Sequence, residues 1–311
     1  MSNVEVITVE DREQWLRLRT TDLTASDVAA VAGFDPHRSP LRVYAEKTGM
    51  TEPGGDNQMM RRGRWMEAAV VEALRETRPT WDIQRAGVYL RDKDIRLGAT
   101  PDVIAIDPTR EGFGNIQCKV VSRPIFEEEW ADDRPPLRFE IQTLTEAMLL
   151  AGSSTQPVWA AVAALSISTY TADLVIAEVD RHASAEARIR TLAVNFWKDV
   201  EDGNQPSVDF VRDSALVDEL HPHSHPGVVR EFKDDIWPHL LSEHQGRKVD
   251  IKVNQDRVDI IETEIKAHMG DAETGTLPGW RISWKEQSRG DAHFRVLRIT
   301  ETPTDNQEGP F

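Results

Sequence analysis

Two short stretches hold the residue types that phosphodiester chemistry needs. Asp102 follows Pro101 and opens an apolar alternating run, Val103–Ile106. Gln117 and Lys119 lie within a second run of the same kind, Ile116–Val121. Side chains alternate along a strand, so Gln117 and Lys119 share one face while Cys118 turns to the other. If the two runs are neighbouring strands, a carboxylate, an amide oxygen and an ammonium meet at one point. The oxygens suit a hard divalent cation, and the ammonium suits the charge of a phosphate under attack.

The elements that must hold these groups read as an α/β protein. Residues 11–32 are expected to be helical, with Thr24 or Ser26 as an N-cap and Gly33-Phe34-Asp35-Pro36 as the break. Ser39-Pro40 starts a helix over Leu41–Thr48 that Gly49 closes. Arg61–Arg75 repeats Trp65, Ala69, Val70, Ala73 and Leu74 at helical spacing, which predicts a buried stripe, with Glu67 near the start. Strands are expected at Val88–Leu90, Val103–Ile106, Ile116–Val121, Val158–Leu165 and Thr171–Val179, the last at a sheet edge. Helices are expected at Ile141–Ala151 and Glu186–Val200. His221-Pro-His-Ser-His-Pro-Gly227 reads as a linker with solvent-exposed histidines, and beyond it come a helix, Val249–Met269, and strands at Trp280–Trp284 and Phe294–Ile299. Residues 1–210 are therefore expected as one α/β domain, 211–245 as an acidic linker and 246–311 as a small α+β appendage. Trp81, Trp280 and Trp284 are expected to pack rather than to stack on bases.

The 311 residues are 39% hydrophobic and 29% charged, which describes a soluble globular chain. No run of about 18 apolar residues predicts a membrane span, and the first residues have no signal-peptide pattern. The single cysteine excludes an intrachain disulfide framework or a four-cysteine cluster and fits a reducing cytoplasm. A net charge of −16 argues against a protein that coats nucleic acid. It leaves room for a local basic site: Arg61, Arg62 and Arg64 cluster just before Glu67, and acidic residues accumulate after residue 200.

Pro101-Asp102 with Gln117-Cys118-Lys119 resembles the PD-(D/E)xK signature. Six blocks in order resemble the lambda exonuclease/YqaJ-like viral recombinase family of that nuclease superfamily, over about residues 10–205. They are Trp15–Arg19 with Thr24–Asp27, Arg38–Leu41 through Lys47–Gly49, Gly63-Arg-Trp-Met-Glu67, Thr100–Asp102, Gln117–Lys119, and Phe139–Gln142 leading to Ala151-Gly152. The resemblance implies a restriction-endonuclease-like mixed β-sheet flanked by helices. It implies that Asp102, Gln117 and Glu67 hold Mg²⁺ (or Mn²⁺), that Lys119 orients water and stabilises negative charge, and that Gln142 helps position water or DNA. Arg19 and Ser26 match the pair that grips a DNA 5′-phosphate. The implied activity is 5′-to-3′ digestion of linear double-stranded DNA, leaving 3′ overhangs. A ring-shaped trimer, a single-strand annealing partner and a phage or prophage origin in a bacterial cytoplasm belong to the same expectation.

Gln117 departs from the Glu usual at its place, so one negative charge is missing and the number of metals is open. Two rivals remain at this stage. One is a related nuclease of different polarity or substrate, and the other is a DNA-end-binding protein that lost catalysis through Gln117. Outside the resemblance, Glu67 and Arg19 would read as surface charges, Ser26 as an N-cap and Cys118 as core. Lys119 in a half-buried strand needs an acidic neighbour, for which Asp102 is the candidate.

Overall fold

Ten-residue apolar alternation makes Phe113–Ser122 the spine of the molecule, and every other part of the site sheet is organised on it. The computed structural model describes residues 4–52, 58–290 and 292–302. In chain order the first part comprises β1 (Val4–Thr8), α1 (Arg12–Thr21), β2 (Leu23–Thr24), α2 (Ala25–Val31), α3 (Pro40–Thr48), α4 (Gln58–Thr77), β3 (Asp82–Arg85), β4 (Val88–Asp92), β5 (Leu97–Ala99), β6 (Val103–Ile106), β7 (Phe113–Ser122), α5 (Arg123–Glu129), α6 (Leu137–Gly152), β8 (Val158–Ile167), β9 (Ala172–Val179), α7 (Ala183–Asp202) and α8 (Ser214–Leu220). The rest comprises α9 (Ile236–Met269), β10 (Thr274–Leu277), β11 (Trp280–Arg289) and β12 (Ala292–Glu301).

The site sheet has five strands in the order β3-β6-β7-β8-β9. Only β7 and β8 run parallel, so the sheet is mixed, and β9 forms an edge as expected. Ile116, Cys118 and Val120 of β7 pack with Val70, Val71 and Leu74 of α4. The opposite side chains, Asn115, Gln117 and Lys119, face α6, as bonds from Asn115 Nδ2 to the Thr143 carbonyl and from Lys119 Nζ to Gln142 indicate. Ala160, Val162 and Ala164 of β8 are buried in the cluster that holds Leu144, Ala147 and Met148 of α6. Their small size lets the helix approach the sheet closely. Helices thus cover both faces, as the expected architecture requires.

A second, four-stranded sheet, β1-β4-β5-β2, accompanies the first. The expected strand at Val88–Leu90 belongs there, not in the site sheet. All four of its strands have five residues or fewer, and β1 with β4 and β2 with β5 pair across long sequence separations, which local alternation does not register.

Two sequence expectations are corrected. Trp65 and Ala69 do not join the buried stripe of α4: both are exposed, Trp65 by 72%. Five residues at 100° place Trp65 about 140° around the helix from Val70, so it projects to solvent. The segment after residue 210 is not all linker either. Leu216 of α8 is fully buried against Leu41 and Ala45 of α3, and buried Asp213 accepts a hydrogen bond from the Ser39 hydroxyl. The chain divides into two compact units between Ser224 and His225.

In the second unit, α9 starts at Ile236, earlier than expected, and the sheet has three antiparallel strands rather than two. Arg295 lies over the Trp284 ring, a packing role for that indole. In the first unit, Trp81 packs edge-on against Trp159. His221, His223 and His225 are exposed. No helix among the described residues is long and apolar enough to cross a membrane.

Candidate active site

The antiparallel ladder of β6 with β7 ends at Val103 opposite Ile116. Beyond that pair the strands part, and the backbone N–H of Cys118 needs another acceptor. Asp102 supplies it: Oδ2 accepts from Cys118 N at 2.9 Å and from Gln117 Nε2. One carboxylate oxygen therefore fixes both the strand backbone and the neighbouring amide. Gln117 is only 4% exposed, and its Oε1 has no hydrogen-bond partner among the described residues. A buried amide oxygen left unsatisfied costs on the order of 1–3 kcal/mol and marks a place where an electrophile is expected.

Burial raises the Asp102 carboxyl to about 6, against the opposing pull of the Lys119 charge and the Cys118 amide, and the nearby Glu67 charge raises it further. Glu67 projects from α4, half-buried, with Arg85 Nη2 at 3.8 Å. Lys119 does not pair directly with Asp102, contrary to the sequence expectation. Its ammonium donates to Gln142 Oε1 at 3.1 Å and lies 4.7 Å from the centre of the Phe139 ring. The amide and the ring face partly satisfy the cation while leaving it uncommitted to a carboxylate.

Glu146 is the residue that sequence reasoning missed. It is 1% exposed on α6, one turn beyond Gln142. It accepts from Gln142 Nε2 at 2.9 Å and from Asn115 Nδ2 at 3.3 Å. Burial pushes its carboxyl up to about 8, with the Asp102 charge adding to the rise and Gln142, Lys119 and Asn115 opposing it. Because Glu146 takes the amide nitrogen of Gln142, the amide oxygen is left to face Lys119. The signal was a Glu one turn beyond Gln142 in a helix whose next residues, 147–151, are all apolar.

A second cluster forms at the head of α2. Thr24 caps it, its N–H donating to Asp27 Oδ2 at 3.0 Å, which frees the Ser26 hydroxyl. That hydroxyl accepts from Arg19 Nη2 at 3.2 Å and lies 2.9 Å from the Thr24 hydroxyl. Arg19 also lies over the Trp15 ring at 4.6 Å, and the Trp15 indole N–H donates to the Thr100 hydroxyl at 3.0 Å, two residues before Asp102. Behind the pair sits Asp27, buried and ion-paired to Arg38 and, at 2.9 Å, to Lys47. Burial alone would raise the Asp27 carboxyl, but the charges of Arg38, Lys47 and Arg19 hold it well below the usual range. Lys47 in turn donates to the Arg19 carbonyl. The α1–α2 junction is thus held by buried charges, with a guanidinium and a hydroxyl at its half-buried front.

Among the described residues no three His, Cys, Asp or Glu side chains cluster as a metal site. The oxygen donors of the first cluster are Asp102, Glu67, whose charge acts on Asp102, and the Gln117 amide oxygen, which has no partner among the described residues. That set fits a hard divalent cation by its chemistry, with two charges where three carboxylates would give more.

Residues 14–153 match the family described as the YqaJ-like viral recombinase domain. Asp102, Gln117, Lys119, Glu67, Gln142, Arg19 and Ser26 all lie inside this segment, as does Glu146. The chain is 23% identical over 323 residues to the uncharacterized protein YqaJ of Bacillus subtilis, covering 93% of this chain and 94% of the relative. Among solved structures it is similar to the alkaline exonuclease LHK-Exo of Laribacter hongkongensis, at 21% identity and a TM-score of 0.47, over 61% of this chain and 93% of the other. The same exonuclease in complex with dAMP matches at 20% identity with the same TM-score and coverage.

Proposed function

We propose that this YqaJ-like recombinase domain is a divalent-metal-dependent exodeoxyribonuclease that digests linear double-stranded DNA from a 5′ end and leaves a 3′ overhang. The observation that carries the reading is the meeting of Asp102, the unpartnered oxygen of Gln117 and the Lys119 ammonium where β6 and β7 part. The family match over the same residues supports it. Mg²⁺ or Mn²⁺ held by Asp102, Glu67 and the Gln117 oxygen would supply Lewis acidity and a more acidic water. Lys119 orients the nucleophile and stabilises charge on the phosphoryl oxygens. Gln142 holds Lys119 in place through its amide oxygen, and Glu146 holds Gln142. Arg19 and Ser26 present a guanidinium and a hydroxyl to a terminal phosphate, which gives the 5′ preference. The same reading expects a trimeric ring in a bacterial cytoplasm, with a single-strand annealing protein as partner.

The test compares a 5′-phosphorylated linear duplex, its 5′-hydroxyl counterpart and a covalently closed circle, in Mg²⁺. The proposal expects rapid loss of the first only, with Arg19→Ala removing the preference for the phosphate. Attack on the circle, or digestion from the 3′ end, would refute it. If wild type is inert and Gln117→Glu is active, the chain is instead a DNA-end-binding protein.

A further inference from the structure

The start of α4 carries an exposed face. Trp65 is 72% exposed, and among the described residues it enters no ring pair. Arg61 and Arg62 precede it by four and three residues, so all three share one side of the helix. Both arginines are exposed, and no carboxylate among the described residues pairs with either. On the next turn Ala68 and Ala69 are small and exposed, leaving the indole uncovered. The acid further along that side, Glu72, is neutralised by Arg75 at 2.5 Å. The buried stripe of the helix, Val70, Val71 and Leu74, lies elsewhere on its circumference.

An exposed indole beside two exposed guanidiniums, in a chain of net charge −16, is a local site for an aromatic polyanion. We propose that Trp65, Arg61 and Arg62 form a platform for single-stranded DNA, the indole stacking on a base and the guanidiniums holding flanking phosphates. The strand must be unpaired, because duplex bases already have their faces covered. Trp65 precedes Glu67 by two residues, a rise of about 3 Å but a turn of about 200°, so the indole lies on the far side of α4 from Glu67 and would meet a strand that has left the site. This inference rests on the nuclease reading, since digesting one strand of a duplex leaves the other unpaired.

The test uses the full chain in EDTA, where no hydrolysis is expected, and an oligothymidylate as the probe. Tryptophan fluorescence and affinity are measured for wild type, Trp65→Phe, Trp65→Ala and the double variant Arg61→Ala/Arg62→Ala. Thermal melts should agree among the four, because all three side chains are exposed. Trp65→Phe should lose part of the fluorescence quenching yet keep its affinity within about twofold. Trp65→Ala should bind about five- to a hundredfold more weakly. The double variant should flatten the salt dependence by about 0.7 per arginine. Unchanged affinity in Trp65→Ala, with full quenching in Trp65→Phe, would overturn the platform. Equal quenching of Trp65 by closed circular duplex would overturn its assignment to single strands. Hydrolysis in Mg²⁺ is scored separately. An inert wild type that still binds through Trp65 overturns the nuclease reading alone, and an active one that binds without Trp65 overturns the platform alone.

Discussion

Glu146→Gln should make the metal-free protein more stable at alkaline pH and cost only about 1 kcal/mol at pH 5. In the fold Glu146 is essentially sealed, with Asp102 and Lys119 as the charges that act on it and Asn115 and Gln142 as its donors. Its carboxyl titrates at about 8 in the fold against 4.5 for an ordinary Glu. An acid raised by folding contributes its full stability below the unfolded value and loses it as pH rises through the folded value. The window is therefore about pH 5 to 9. At about 1.4 kcal/mol per pH unit, the loss across it has a ceiling of ~5 kcal/mol. A glutamine mimics the neutral acid and removes that loss. The hydrogen bond it makes less well costs only about 1 kcal/mol, so charge burial decides the sign at pH 9. Urea unfolding in EDTA at pH 5, 7 and 9 measures the difference between variant and wild type. A difference that stays constant with pH would refute the reasoning.

Gln117→Glu adds the missing carboxylate. It should lower the Mg²⁺ concentration needed to raise the melting temperature by about tenfold or more, and lower the melting temperature in EDTA. Gly98→Ala places a Cβ 1.9 Å from the hydroxyl of fully buried Tyr89, so unfolding should show a loss of ~1–3 kcal/mol. Leu216→Ala should cost about 2–5 kcal/mol. A chain ending at residue 210 should melt below one ending at Ser224, because the former lacks Leu216 and Asp213.

The groups of the candidate site were readable because they sit on strands whose alternation is long and clean. The pattern around Gln117 and Lys119 fixed their shared face, and Asp102 opposite followed from strand adjacency. Arg19 and Ser26 are seven residues apart, so one helix junction brings them together. The partner of Lys119 was not readable, since Gln142 reaches it from a helix that sequence placed without orientation. Glu146 was hidden for the same reason: a helix rich in Leu, Ala and Met does not reveal which lone polar residue it turns inward. Trp65 failed in the opposite sense, as an apolar residue at helical spacing whose side of the helix only packing decides. The second sheet and α8 depend on contacts between distant segments, which no local pattern records.

The central claim is that the Asp102, Gln117 and Lys119 cluster hydrolyses DNA with a divalent cation. It is tested most directly by following the release of nucleotides from a 5′-phosphorylated linear duplex in Mg²⁺ and in EDTA, for wild type, Asp102→Asn and Lys119→Ala. The account predicts release by wild type in Mg²⁺ alone and a loss of about a hundredfold or more in each variant. Release that survives EDTA, or that persists at the wild-type rate in Lys119→Ala, would contradict it.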